Sequence, residues 1–365
     1  MRINTNVPAL RSINSANVSE KQMGQLSRRL STGVKISSAK NDPAGMSIST
    51  KLRFQVEGTK MASQNTMNGI SVLQTAEAGL SEVHSILQRM RELAVQSAND
   101  TNMDDDREKI QLEMAQLKDE INSISHKTNY NRIDLLNGHA GLKGTSEDVN
   151  VIEILGMSDN VIPGNYNLTL DIMSGTVDEP AGFELFNKPK ISFVESYKND
   201  MAQDIDRVTI TDANNRRMVI DIISGATTVE IAVADNRLVF QTGANKDINV
   251  EVSIGEISAK SLGIDRLNVE STEASVDAIK ALDIAISRCS EIRSKIGAYQ
   301  NRFEMINSNL ETADITIQTT LAKVFDTDMA YDIAELTRQR IVNQGAISVL
   351  GQANQRPQSV LQLIQ

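Results

Sequence analysis

One stripe of apolar side chains constrains this chain more than any other feature. Ala278, Leu282, Ala285, Cys289, Ile292, Ile296, Tyr299, Phe303, Ile306, Leu310, Ala313 and Ile317 succeed one another at spacings of three and four, with no charged residue among them. An average repeat of 3.5 residues keeps one helix face turned toward a partner helix along its whole length; a helix resting on a sheet has no need of it. A helix from about Thr272 to Asp326 would be on the order of 80 Å long, and it needs a partner of similar length. Leu73, Ala76, Leu80, Val83, Leu87, Met90 and Ala94 repeat the spacing near the other end of the chain. A third, shorter copy, Ile110, Met114, Leu117, Ile121 and Ile124, follows Asp104, Asp105 and Asp106, where carboxylates favour a helix start. Both ends of the chain therefore feed one bundle, whose seam takes in Leu80, Leu87, Cys289, Ile296, Phe303 and Leu310.

The rest of the composition fits a long, narrow core. The chain has 365 residues, of which 40% are hydrophobic, enough to exclude a wholly disordered protein, yet aromatics are 3% and tryptophan is absent. A net charge of −10 argues against a nucleic-acid coat, which needs clustered Lys and Arg. Arg28, Arg29, Lys35 and Lys40 form the one local basic cluster, and its ordinary use is a solvated or subunit-contacting face. Cys289 is the sole cysteine, so no intrachain disulfide forms, and its seam position reads as a small buried hydrophobe. The first residues carry no continuous apolar core of a Sec signal peptide, and no uninterrupted apolar stretch asks for a membrane span.

Taken in order, residues 5–33 read as an amphipathic helix carrying Val7, Leu10, Ile13, Met23, Leu26 and Leu30, interrupted by Asn14, Asn17 and Ser19. So weak a stripe orders only against a partner. After Gly33, Asp42 serves as N-cap and Pro43 as first residue of the long helix. Beyond Gly138 the period changes to two. Tyr166, Leu168, Leu170 and Ile172 alternate with polar residues, and Val208 and Ile210 turn at Asn214 and Asn215 into Met218, Ile220 and Ile222. A second hairpin is expected to run from Val229, Ile231 and Val233 through Asp235 and Asn236 to Leu238 and Phe240, with Ile248, Val250, Val252 and Ile254 alternating once more. Ile333, Leu336, Ile341, Ile347 and Leu350 form a last amphipathic helix, expected to be interrupted near Pro357.

The expected fold is mainly α with a β-rich insert. The N- and C-terminal regions form a long antiparallel coiled-coil-like bundle, and a small outer β domain sits at its tip, where an insertion disturbs the bundle least.

Little chemistry is written into the chain. His84, His126 and His139 fall in no HExxH or paired spacing, no CxxC occurs, and no phosphate-binding glycine loop or GxSxG elbow appears. Carboxylates fall on helix faces, where pairing with Lys and Arg is their ordinary use. Asn167-Leu168-Thr169 fits the glycosylation acceptor pattern, a short and weak one. No catalytic, cofactor or metal site is expected, and the chain reads as no enzyme.

The runs MRINTNVPALRSINSAN, STGVKISSAKNDPAG, LQRMRELAVQSAND and VLGQANQRPQSVLQLI closely resemble bacterial flagellin, over roughly the first 138 and last 125 residues, with LVFQTGAN from Leu238 resembling the return into the shared region. The resemblance implies a subunit exported unfolded through the flagellar type III apparatus with a flagellin chaperone. It would be secreted and polymerised with itself under the filament cap, beyond the hook-associated proteins, into the extracellular filament that drives swimming. It implies residues 1–43 and 326–365 as an inner terminal-helix domain, 44–138 and 238–325 as a helical rod domain, and 139–237 as a variable outer β-rich domain. Polymerisation is assigned to Leu10, Leu26, Leu30, Ile333, Leu336, Ile347 and Leu350. By matching position, recognition of the monomer by an innate receptor, Toll-like receptor 5, maps to Arg89, Leu93, Gln96 and Glu113. Met90 departs from the aliphatic residue expected between the two arginines but lies on the seam. No cofactor, nucleic acid or membrane partner is implied. A hook-filament junction protein shares the terminal pattern and is the alternative. A metallopeptidase grafted into the insert lacks its HExxH.

Overall fold

The computed structural model describes residues 6–146, 151–157, 164–171, 176–178, 190–198, 204–211, 217–223 and 228–364. In chain order it begins with α1 (Val7–Thr32), α2 (Pro43–Ser97) and α3 (Asp104–Lys127), then a small hairpin of β1 (Asn129–Tyr130) and β2 (Ile133–Asp134). The insert follows as β3 (Leu142–Thr145), β4 (Val151–Met157), β5 (Gly164–Asp171), β6 (Thr176–Asp178), β7 (Lys190–Lys198), β8 (Asp204–Thr211), β9 (Arg217–Ile223) and β10 (Thr228–Asp235). The return comprises β11 (Leu238–Gln241), β12 (Asn249–Val252), α4 (Ala259–Leu262), α5 (Thr272–Phe325) and α6 (Met329–Ile364), which runs on through Pro357 without the expected interruption. The chain divides into two compact units, one of residues 1–61 with 310–365 and one of residues 62–309.

The helix ends obey local chemistry. Asn6 Oδ1 accepts the Ala9 N–H at 3.2 Å to start α1, and Gly33 ends it at φ 70°, a left-handed conformation that costs glycine nothing. Asp42 Oδ1 accepts from the Gly45 N–H at 2.9 Å, with Pro43 in the first turn of α2. Asp104, Asp105 and Asp106 occupy the first turn of α3, and His126 and Lys127 its last, matching the helix dipole at both ends.

Within residues 62–309, α2 and α5 run antiparallel. Ser63 bonds Asn307 (2.7 Å), Glu77 bonds Arg293 (2.8 Å), the Cys289 thiol faces the Leu80 carbonyl (3.6 Å) and Arg91 bonds Asp283 (2.6 Å), so the chain descends on one helix as it climbs the other. Leu80, Leu87, Cys289, Ile296 and Phe303 are all buried in that seam. The stripe then loosens: Ile306 and Leu310 are only half-buried, so Leu310 is not a sealed seam position. Ile110, Met114 and Ile121 bring α3 onto the same core. Gly79 lets the α3–β1 corner approach closely, since a Cβ there would lie 2.8 Å from Thr128 Oγ1.

The insert is an eight-stranded antiparallel sheet in the order β3-β10-β5-β6-β7-β8-β9-β4. The β8–β9 hairpin pairs Ile205 with Ile223 through to Thr211 with Arg217, and its expected turn at Asn214 and Asn215 lies outside the described residues. The second expected hairpin is not formed. β10 pairs with β3 and β5, whereas β11 pairs with β12, Leu238 opposite Val252. The chain changes sheets at Asp235–Arg237, where the Arg237 N–H and Nε both bond Asp235 Oδ1 (3.1 and 2.8 Å) and the Asn236 N–H bonds the Gly141 carbonyl. This leaves Val250 and Val252 free to enter the bundle core.

Burial pushes the Cys289 thiol up to about 11 from an ordinary value near 9, with nearby Glu77 adding to the rise and Arg293 opposing it. The folded chain holds its proton while the unfolded chain releases it, so stability is level below pH 9 and falls as pH rises toward 11. Cys289→Ser keeps a donor toward Leu80 and is expected to cost about 1 kcal/mol, and Cys289→Asp about 3–5 kcal/mol, as read by denaturant unfolding. A bulky maleimide that labels the native protein as fast as the denatured one would place Cys289 outside the seam.

Candidate assembly and recognition surfaces

In the unit of residues 1–61 and 310–365, α1 packs on α6 through small and polar residues. Ala9, Ser12, Ser19 and Leu26 are buried on α1, facing Asp332, Gln339 and Ala353. Asn6 Nδ2 donates to the Ala353 carbonyl (2.8 Å), Asn343 Nδ2 to the Ala16 carbonyl (3.2 Å), and Ser19 Oγ to the Gln339 carbonyl (2.9 Å) and to its Oε1 (3.2 Å). The larger side chains point away. Leu10 is 56% exposed, Ile333 52% and Ile347 56%, and Val7, Ile13, Val18, Ile341 and Val349 are exposed with them. Of the residues assigned to polymerisation, Leu26 is thus covered within the chain, and Leu30, Leu336 and Leu350 are half-buried.

The connectors beside these helices are stitched together. Val34 bridges Asp326, the Lys35 N–H donates to the Phe325 carbonyl (2.8 Å), and the Thr327 N–H to that of Gly33 (2.9 Å). Next to them the Arg53 guanidinium lies 4.0 Å above the Phe325 ring, at a distance suited to cation–π attraction. Exposed Phe54 lines an open groove of about 670 Å³ there with Val56, Leu321 and Ala322.

A different surface occupies α2 and α3. Arg89 Nη2 and Nε bond Glu113 Oε1 (2.8 and 3.1 Å), and Nη1 reaches Glu92 at 3.4 Å. All three side chains remain about half-exposed or more, and the hydrogen bond that Arg89 donates to the Glu113 carboxylate raises the guanidinium pKa above its usual range. Gln96 is exposed on the same helix, with apolar Val95 and Leu112 nearby. Leu93 does not join them. Only 2% exposed, it belongs to the bundle core, because it follows Met90 by three residues and so shares the seam face. Position in the motif placed Leu93 on the recognition face, but helical periodicity turns it inward.

Residues 3–140 match the family model of the bacterial flagellin N-terminal helical region, and residues 279–364 that of the C-terminal helical region. Polar flagellin B/D of Vibrio parahaemolyticus is 31% identical over 100% of this chain and 99% of its own. The chain belongs to the bacterial flagellin family. Flagellins of Clostridium tyrobutyricum (31% identical, over 98% of this chain and 100% of its own) and Bacillus subtilis (30%, 100% of both) are similar over the same span. As a flagellin it is a structural protein, a subunit that self-polymerises into a filament, and not an enzyme.

Two features of this flagellin escaped the sequence. The stretch from Ile254 to Val269, beyond the last alternating run, buries Ile257, Leu262, Ile264 and Val269 in the bundle core, held by Ser97 Oγ on the Val269 carbonyl (2.6 Å) and Gln111 Nε2 on that of Leu267 (3.2 Å). Its density of aliphatics was the available signal. The other is Arg207 on β8, which grips both Asp221 oxygens (2.9 and 3.1 Å) and Asp265 (3.1 Å). Burial favours loss of its proton, yet the hydrogen bonds it donates to the two carboxylates outweigh that and raise the pKa. No spacing rule links residues so far apart.

Leu93→Ala is expected to lower stability by about 2–5 kcal/mol, as a core truncation does, whereas Arg89→Ala leaves the unfolding midpoint unchanged because its ion pairs are solvated. Denaturant titration of both variants checks this. Equal midpoints would return Leu93 to the surface.

Proposed function

We propose that this flagellin builds the extracellular filament that drives swimming, and that it reaches the growing tip unfolded through the flagellar type III apparatus, escorted by a chaperone and placed beneath a cap beyond the hook-associated proteins. Residues 1–43 and 326–365 form the inner layer of the assembly, 44–138 and 238–325 its rod layer, and 139–237 face outward. The observation that carries the reading is the exposure of Leu10, Ile333 and Ile347, each of which leaves more than half its surface uncovered by its own chain. Full burial of such a side chain contributes about 1.5–3 kcal/mol, so covering the exposed half in a neighbour's surface contributes about half of that. Several per helix suffice to offset the roughly 4–15 kcal/mol of freedom lost on association. Full-length similarity to proteins named flagellin favours the filament subunit over the junction protein.

Recognition of the monomer by Toll-like receptor 5 belongs to the same proposal, through Arg89, Gln96 and Glu113. Their exposure on α2 and α3 supports it, and Leu93 then acts only by holding that face in place. Loss of receptor binding in soluble Arg89→Ala is the expected result, and undiminished binding would remove Arg89 from the interface.

Deleting residues 1–40 or 326–365 is expected to give a soluble monomer, as read by sedimentation under salting-out conditions. Long filaments from either truncation would contradict the assignment of the ends to assembly. Deleting residues 145–235 should leave assembly intact, and loss of filaments in that protein would show the insert to be structural.

A further inference from the structure

The polar interruptions of the first helix have a consequence for assembly. Along α1, Asn6 and Ala16 lie ten residues apart, and their partners Ala353 and Asn343 on α6 lie ten apart in the opposite direction. Three residues beyond Ala16, Ser19 meets Gln339, four residues back from Asn343. All three rungs thus report one antiparallel register. Ser19 is 2% exposed and Gln339 6%, so a slipped register would strand buried hydrogen-bonding groups. Gln339 is itself steadied, its Nε2 donating to Glu335 Oε1 at 3.0 Å, while Arg338 holds the Glu335 carboxyl down to about 2 and keeps it an acceptor.

The rest of the contact face cannot do this work. Ala9, Ser12 and Ala16 present a nearly featureless surface, and Leu26, a lone buried aliphatic, makes no directional bond, so the face has little to resist a slide of one helical turn, about 5.4 Å. Any such slide would displace Leu10 and Val18 relative to Ile341 and Ile347, and so scramble the outward apolar pattern offered to neighbours.

We propose that Ser19, Gln339 and Asn343 are register-setting residues for filament assembly. Their hydrogen bonds fix α1 against α6, as a lone buried asparagine fixes a coiled coil, and so specify the one outward arrangement of apolar side chains that a neighbouring copy accepts. The proposal rests on assembly through the terminal helices.

The test uses full-length protein carrying Cys289→Ser with spin labels at Asn17→Cys and Gln344→Cys, both exposed positions, diluted into an excess of unlabelled parent and assembled into filaments. The parent sequence and Ser19→Thr, which keeps the hydroxyl, should each give one narrow inter-label distance. The triple variant Ser19→Ala, Gln339→Leu, Asn343→Leu keeps an apolar pairing surface but should add populations displaced by whole turns, about 5 Å each, and should elongate parent seeds several-fold more slowly. A single parental distance and parental elongation in the triple variant would overturn the proposal. So would an equal defect in Ser19→Thr, which would place the loss in helix packing instead of the hydrogen bond. Failure of the parent itself to form filaments would instead count against the assembly reading.

Discussion

Which face of each helix finds burial inside its own chain decides everything else about this protein. Helix formation satisfies the backbone of a long segment, but most of its stability comes from covering an apolar stripe. In residues 62–309 every stripe is covered: α2 and α5 seal each other from Leu73 to Phe303, and α3, β12 and the stretch to Val269 close the remaining sides. In the unit of residues 1–61 and 310–365 the same need is only partly met, because apart from Leu26 α1 buries alanine and serine and leaves Val7, Leu10, Ile13 and Val18 exposed. The first unit is a self-sufficient core. The second leaves apolar side chains exposed, and in the proposed assembly neighbouring copies cover them.

The polar character of the α1–α6 contact follows from the same constraint. Had the large aliphatics been turned inward, the pair would gain internal stability and lose the surface proposed to meet neighbours. A net contribution of about 0.5–1.5 kcal/mol per hydrogen bond cannot match the burial of as many aliphatic side chains. It supplies direction where burial supplies strength. Arg207 in the insert shows the complementary case: two carboxylates and a buried guanidinium tie β8 and β9 to Asp265 at the cost of desolvating charges, a trade that favours one geometry over net stability.

Much of this was legible in the sequence, and the parts that were not share a cause. The α2–α5 seam could be read because a 3.5-residue repeat leaves one geometric solution, and Gly33, Asp42 and the Asp104–Asp106 run marked helix ends through chemistry local to them. The β8–β9 hairpin was likewise visible in its alternation. By contrast, alternation told nothing of which strand pairs with which, so β10 and β11 read as a hairpin although Asp235 and Arg237 send the chain from one sheet to another. The apolar positions expected on α1 divide, Leu26 being buried and Val7, Leu10 and Ile13 exposed, and periodicity is silent on whether cover comes from the same chain or another. Leu93 shows the reverse error, since likeness of motif was allowed to outrank the helical phase already evident from Leu87 and Met90. Arg207 and Asp265 were beyond reach because only the folded chain brings them together.

The account turns on whether the outward side chains of α1 and α6 are covered by neighbouring copies. Single cysteines at Leu10→Cys and Ile347→Cys, in a Cys289→Ser background, allow their reactivity toward a bulky maleimide to be timed in the soluble chain and again in preassembled filaments. The account predicts rates near those of a free thiol in the soluble protein and rates lower by orders of magnitude in the filament. Equal rates in the two states would contradict it.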